Sequence, residues 1–256
     1  MPAEPLWRDV SVALITLFDD AGGVDHEATA AHARRLVELG LRSVLVAGST
    51  GEADALTDTE RVTLVAAVRA ALPVGVPVLA GASGSWTGQA VGRVGDALGA
   101  GADAVLVAPP RRSADLAGYY AAVSAAAAPK PVLAYHYPPT AGGEVPVEAL
   151  ASLPVAGIKD SSGDAERLLS ELAGWDGWTY VGSTAMVTLA GAVGATGAIL
   201  AAANSHPEEC VAAFGGDGAA QRRLLAAHRQ ARASFPHGLK AMVAQRFGTS
   251  SAARMG

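Results

Sequence analysis

Short, almost wholly apolar runs recur along the chain. They lie at Val10 to Leu17, Ser43 to Val46, Val76 to Ala82, Ala104 to Val107, Pro131 to Tyr135, Val155 to Lys159, Thr179 to Val181 and Gly197 to Leu200. Runs this short, without polar alternation, read as parallel strands buried on both faces. Between them lie amphipathic or alanine-rich stretches with helical spacing: Asp25 to Leu39, Thr57 to Ala71, Thr87 to Leu98, Ser113 to Ala127, Val147 to Leu153, Asp164 to Leu172, Thr184 to Ala192 and Pro207 to Phe214. Strand and helix alternate through the whole set. That regularity predicts an α/β fold of the closed (β/α)8 TIM-barrel type and not an open doubly wound sheet.

End signals agree with the period. Asp25 and Thr57 stand at N-cap positions, Thr57 with Glu60 at capping-box spacing, and Gly40 and Gly101 fall just past helix ends. After the eighth unit, Asp217 to Ser234 and His237 to Gln245 read as additional C-terminal helices packed outside the barrel, at a place suited to a subunit contact. The expected division is a barrel over residues 1–215 and a short helical extension over 216–256.

Composition narrows the function. Of the 256 residues 50% are apolar and 17% charged, with a net charge of −5, so no basic surplus exists to hold nucleic acid. The single cysteine, Cys210, can form neither an internal disulfide nor a cysteine-based metal site, which suits a reducing compartment. The first ten residues lack a basic region followed by an apolar stretch. No later apolar run reaches the roughly 18 residues that span a bilayer, so the expected location is cytoplasmic, with no membrane partner. Arginine supplies nearly all the positive charge, and lysine occurs only at Lys130, Lys159 and Lys240.

In a β/α barrel the reactive groups sit at the C-terminal ends of the strands. Lys130 precedes the fifth strand and Lys240 belongs to a late peripheral helix, so Lys159 alone ends a strand. From position alone it is either a solvated loop lysine or a desolvated amine with a lowered pKa that attacks a ketone. Val46-Ala-Gly-Ser-Thr-Gly-Glu follows the second strand. Its glycines allow a tight turn, and its backbone amides with Ser49 and Thr50 suit a small carboxylate, although an ordinary turn fits too. Gly81-Ala-Ser-Gly-Ser is a weaker version of the same feature. Tyr135 and Tyr137 share strand parity with Leu133, so one or both can point into the barrel mouth, as aromatic caps or as a proton shuttle, while His136 has the other parity and faces the helix layer. The six histidines are scattered, and Asp160, Asp164 and Glu166 read as a helix start, so no metal set emerges.

Taken in order, these segments resemble the dihydrodipicolinate synthase and N-acetylneuraminate lyase superfamily of pyruvate-dependent class I aldolases, from about Val12 to about Met242. Gly48-Ser-Thr-Gly-Glu is similar to the family's GTTGE or GSTGE, Tyr135-His-Tyr-Pro to its YNxP, and Gly157-Ile-Lys-Asp-Ser-Ser-Gly-Asp to its GIK(D/E)xxGD. The resemblance implies a homodimeric or homotetrameric barrel without a cofactor, in which Lys159 forms an imine with pyruvate. It further implies Tyr135 as proton shuttle, Ser49 and Thr50 as carboxylate clamp, and Gly182 and Ile199 lining the bound keto acid.

The departures from the family pattern steer the reading. Thr140 stands where lysine-pathway synthases carry a carboxylate-binding arginine. Pro110 and Arg111 replace a tyrosine pair after the fourth strand, and Ser183 and Thr184 replace the acidic pair of sialic-acid lyases. These speak against a lysine-pathway synthase, while Gly157-Ile-Lys-Asp-Ser-Ser-Gly-Asp and Gly238-Leu-Lys look more like the 4-hydroxy-2-oxoglutarate and 2-keto-3-deoxy sugar acid aldolases, and a short C-terminus favours a dimer. The expected activity is reversible aldol cleavage of a 4-hydroxy-2-oxo acid to pyruvate and an aldehyde. The alternatives are condensation or dehydration on the same imine, and a non-catalytic barrel that holds keto acids.

Overall fold

The computed structural model describes residues 4–255. Eight parallel strands close into a barrel in sequence order: β1 Asp9–Ala13, β2 Val44–Val46, β3 Val78–Gly81, β4 Ala104–Val107, β5 Val132–His136, β6 Gly157–Asp160, β7 Trp178–Val181 and β8 Gly197–Leu200, with β8 pairing back onto β1. The helices are α1 His26–Glu38, α2 Asp58–Ala71, α3 Thr87–Gly99, α4 Leu116–Ala127, α5 Ala165–Gly174, α6 Val187–Ala192, α7 Pro207–Phe214, α8 Gly218–Ala233 and α9 His237–Phe247. Among the described residues no helix is long and apolar enough to cross a membrane.

Strand parity divides the core in two. Outward residues such as Val132, Ala134, Ile158, Ala198 and Leu200 pack under the helices. Inward residues, among them Ala13, Leu45, Leu79, Leu106, Leu133, Tyr135, Tyr180 and Ile199, fill the barrel as a separate cluster. The caps form as the sequence predicts. The Asp25 side chain accepts from Ala28 N, Thr57 and Glu60 make a full capping box on α2, and Gly40 and Gly101 take left-handed conformations, with φ of 104° and 98°.

Three elements depart from the pattern. The first apolar run leaves the sheet after Ala13, because the Ile15 amide donates to Asn204 Oδ1 and the Leu17 amide to Thr29 Oγ1, so side chains replace the ladder. The stretch at Val147–Ser152 is a 3-10 helix, confined between Pro146 and Pro154, the second of which disfavours helical backbone in the residue before it. The Thr184 to Ala192 stretch breaks into a 3-10 turn, Thr184–Met186, followed by α6. There Gln221 of α8 inserts between the two, accepting from Thr188 N at 3.0 Å and donating to Thr184 O at 2.9 Å.

The N-terminal end of the barrel is closed by Trp7, which precedes β1. Its ring stacks on Tyr180 at 4.5 Å, and the Tyr180 hydroxyl donates to Trp7 O at 2.9 Å. Removing the indole empties a buried site that the strands cannot collapse into, so Trp7→Ala is expected to cost about 3 kcal/mol of stability in urea unfolding.

Candidate active site

Register brings the two principal candidates together. Tyr135 on β5 and Lys159 on β6 are direct partners across the sheet, both inward, and the Lys159 amine lies over the Tyr135 ring at 4.8 Å from its centroid. Lys159 is only 5% exposed, and burial alone lowers its pKa from 10.5 to about 7. The reading of a solvated loop lysine is therefore excluded. Gly182, at the end of β7, makes this placement possible: a Cβ there would stand 3.0 Å from Lys159 Cε and collide with Ser161 Oγ. The Tyr135 hydroxyl shares hydrogen bonds with the Ser161 and Ser49 side chains, while burial raises its pKa and keeps it protonated at neutral pH. Ile199 is fully buried on the same inner face.

The turn after β2 reaches its shape differently from the glycine-based expectation. Its left-handed residues are Ala47 and Glu52, with φ of 52° and 55°, and not the glycines. Gly51 is required for space, since a Cβ there would lie 2.9 Å from Leu14 O. Such strained non-glycine backbone persists only where the surroundings over-determine it, and Glu52 supplies the reason. It is fully buried, paired with Lys240, and its Oε2 accepts from the amides of Arg254 at 2.8 Å and Met255 at 2.7 Å. Lys240 is fully buried as well, donates to Ala252 O at 2.6 Å, and lies 4.2 Å from the Phe18 ring centroid. Thus α9 and the tail beyond it tie down the turn that carries Ser49 and Thr50. Spacing alone leaves Lys240 on a peripheral helix. The one sequence signal for this pair is an odd lysine within an apolar helical face.

The substituted positions have structural explanations. Arg111 bridges two loops over the barrel mouth, donating to Pro138 O at 2.9 Å and Thr140 O at 3.3 Å. Tyr119 and Tyr120 of α4 donate to Ala108 O and Val107 O from the helix side, and burial raises both phenols far above their usual range. His136 faces outward as parity requires, its Nδ1 accepting from Val145 N at 3.1 Å. Asp160 also turns away from the barrel, bonded to Ser162 Oγ at 2.7 Å and 3.6 Å from Arg167, and Asp164 caps α5.

Above Lys159 the mouth opens into two adjoining cavities that share Ser49, Tyr135, Thr140 and Lys159. One, of about 420 Å³, extends towards Ser83 and Arg93. The other, of about 460 Å³, extends past Thr50, Gly182 and Ile199 towards α8 and contains no carboxylate in its wall. The sequence-derived residues Lys159, Tyr135, Ser49, Thr50, Gly182 and Ile199 all border this second cavity.

Residues 7–240 match the sequence profile of the dihydrodipicolinate synthetase family. The chain belongs to that family. A DapA-like lyase of Halobacterium salinarum is 35% identical over 210 residues, covering 78% of this chain and 69% of the relative. A 4-hydroxy-tetrahydrodipicolinate synthase of Salinibacter ruber is 34% identical over 217 residues, covering 81% and 72%. The solved structure of KD(P)GA from T. tenax superimposes with a TM-score of 0.86 at 25% identity, covering 96% of this chain and 90% of that one. The dihydrodipicolinate synthetase family comprises pyruvate-dependent class I lyases and aldolases, so this chain is an enzyme of that class and not a non-catalytic barrel.

The buried Glu52–Lys240 pair gives a stability test. Glu52→Gln leaves the Lys240 ammonium buried without its counter-charge and should cost about 3 kcal/mol in denaturant unfolding. In the Glu52→Gln/Lys240→Met double variant part of that loss should return, which a double-mutant cycle measures.

Proposed function

We propose that the protein cleaves a 4-hydroxy-2-oxo acid reversibly to pyruvate and an aldehyde through an imine on Lys159. The observation that carries this reading is a buried lysine amine at a pKa of about 7, beside a protonated tyrosine, with no carboxylate in the wall of the cavity towards α8. Near neutral pH a substantial fraction of the amine is unprotonated and can attack the ketone.

Thr50, with the backbone of its turn, holds the substrate carboxylate and orients the ketone. Attack by Lys159 gives a carbinolamine. Tyr135 protonates its hydroxyl, which leaves as water, and the products are an iminium and a tyrosinate. The tyrosinate then takes the proton of the 4-hydroxyl, the C3–C4 bond breaks, and its electron pair flows into the iminium. An aldehyde departs and an enamine remains. Tyr135, protonated again, delivers that proton to C3; water then adds to the iminium as Tyr135 takes its proton, and pyruvate is released with Lys159 free. Ser49 and Ser161, bonded to Tyr135, keep its hydroxyl directed at the substrate. This assigns Ser49 to the tyrosine in place of the carboxylate clamp. Gly182 and Ile199 form the floor against which the keto acid lies.

A second reading, condensation of pyruvate with an aldehyde in the manner of a synthase, is favoured by the name of the Salinibacter relative. It shares the imine and differs in the second substrate. Pyruvate release from hydroxy-keto acids, measured against pyruvate consumption with aspartate semialdehyde, separates the two.

Incubation with pyruvate and cyanoborohydride should add the mass of reduced pyruvate at Lys159, and an unmodified Lys159 would overturn the proposal. The trapping rate should rise with pH through about 7 and then level off, because only the neutral amine attacks. A rate still climbing near the pKa of an ordinary lysine, about 10.4, would contradict the burial argument. Tyr135→Phe should lower kcat by roughly 100-fold or more in the cleavage assay.

A further inference from the structure

The outer faces of β5 and β6, behind Tyr135 and Lys159, hold a buried charged cluster. Asp160 ends β6 and is buried. Its Oδ1 accepts from the Ser162 amide at 2.9 Å, its Oδ2 accepts from Ser162 Oγ at 2.7 Å, and that hydroxyl oxygen accepts in turn from the Asp164 amide at 3.1 Å. Asp160 therefore shapes the turn after β6, which passes through a left-handed Gly163, φ 75°, before α5 begins. Ser161 opens that turn. Its amide donates to His136 O at 3.0 Å, and its side chain reaches back into the barrel to the Tyr135 hydroxyl.

Arg167 of α5 stands behind both strand exits. Its Nε lies 3.6 Å from Asp160 Oδ1, while its Nη2 donates to Val145 O at 2.7 Å and lies 3.0 Å from Glu171 Oε1. Val145 belongs to the loop after β5, and its amide donates to His136 Nδ1. The guanidinium thus ties the loop after β5 to the turn after β6, a span that its fixed fork covers and a lysine ammonium, as a point charge, does not. Asp160 and Glu171 share this cation. Glu171 is fully buried, its Oε2 has no hydrogen-bond partner among the described residues, and burial together with the Asp160 charge raises its pKa to about 8. At neutral pH it carries a proton, which leaves the charge of Arg167 to Asp160. None of these groups borders either cavity above Lys159.

We infer that Arg167 is a positioning residue for the reaction. It holds Asp160, Asp160 holds the turn after β6, and the turn holds Ser161 Oγ on the Tyr135 hydroxyl, which has to give and take protons at one point above Lys159. Loss of this tie frees Ser161 and lets Tyr135 turn from the reacting carbon, without removing any group that touches substrate. The inference rests on the lyase reading above for the role of Tyr135.

Deuterium exchange into the methyl group of pyruvate, followed by NMR in heavy water, reads Tyr135 directly and needs no aldehyde. Once pyruvate has formed the iminium on Lys159, Tyr135 as tyrosinate takes a C3 proton and leaves the enamine; it trades that proton for a solvent deuteron and returns the deuteron to C3. Rates are taken at saturating pyruvate and divided by the fraction of chains that cyanoborohydride traps at Lys159 on completion, so that partial unfolding does not count as slow exchange. Ser161→Ala and Arg167→Met should each slow exchange roughly 10-fold or more, as expected when a reacting group loses its orientation. In the Ser161→Ala background Arg167→Met should slow it by no more than about twofold further, since both act through one contact. Arg167→Lys should recover part of the rate when Ser161 is present and none when it is absent, and it carries the same cycle if Arg167→Met yields no folded chain. Losses that multiply in the double variant overturn the inference, as does a wild-type exchange rate in either single variant. A wild-type protein that traps pyruvate without exchanging its methyl protons removes the shuttle role of Tyr135 and the inference with it. Failure to trap pyruvate at all removes the lyase reading itself, whereas trapping and exchange with multiplying losses remove only the role of Arg167.

Discussion

Among the described residues Lys159 has no counter-ion. Its amine lies inside the barrel at the last turn of the β6 ladder, and burial alone brings its pKa to about 7. Everything around it preserves that condition. Asp160, the nearest carboxylate in sequence, points to the helix layer because it has the opposite strand parity. Gly182 leaves room for the side chain where any Cβ would displace it. Trp7 and Tyr180 close the opposite end of the barrel with stacked rings. A single carboxylate in this space would hold the lysine protonated and remove its nucleophilicity.

The structure handles its other buried lysine in the opposite way. Lys240 is as deeply buried as Lys159, yet it meets Glu52 and Ala252 O, so its charge is used for structure. Through Glu52 it reaches the left-handed turn that carries Ser49 and Thr50, and Arg254 extends the same connection to Glu60 and the capping box of α2. The two lysines thus differ in surroundings: one is paired and fixes the turn after β2, and the other is buried without a counter-ion among the described residues.

At the mouth, the residues that depart from the family pattern are engaged in structural contacts. Arg111 ties its own loop to the one after β5 through the carbonyls of Pro138 and Thr140. The tyrosines of α4 serve the helix packing. Above Lys159 the mouth stays open on two sides, one bordered by Ser83 and Arg93 and the other by Ser183, Thr184 and α8.

Much of this protein was legible in the order of its residues, because strand and helix periods are local properties and a barrel repeats them. The eight strands, the caps at Asp25 and Thr57, the inward parity of Tyr135 and the position of Lys159 all follow from spacing. The exceptions are contacts between distant segments. Asn204 draws the chain off β1, Gln221 interrupts the helix before α6, Glu52 finds Lys240 and the tail, and Ser49 finds Tyr135. Sequence by itself determined which lysine ends a strand. Only the tertiary structure decided that this lysine is buried without a counter-ion among the described residues, because desolvation depends on every segment that closes over the amine.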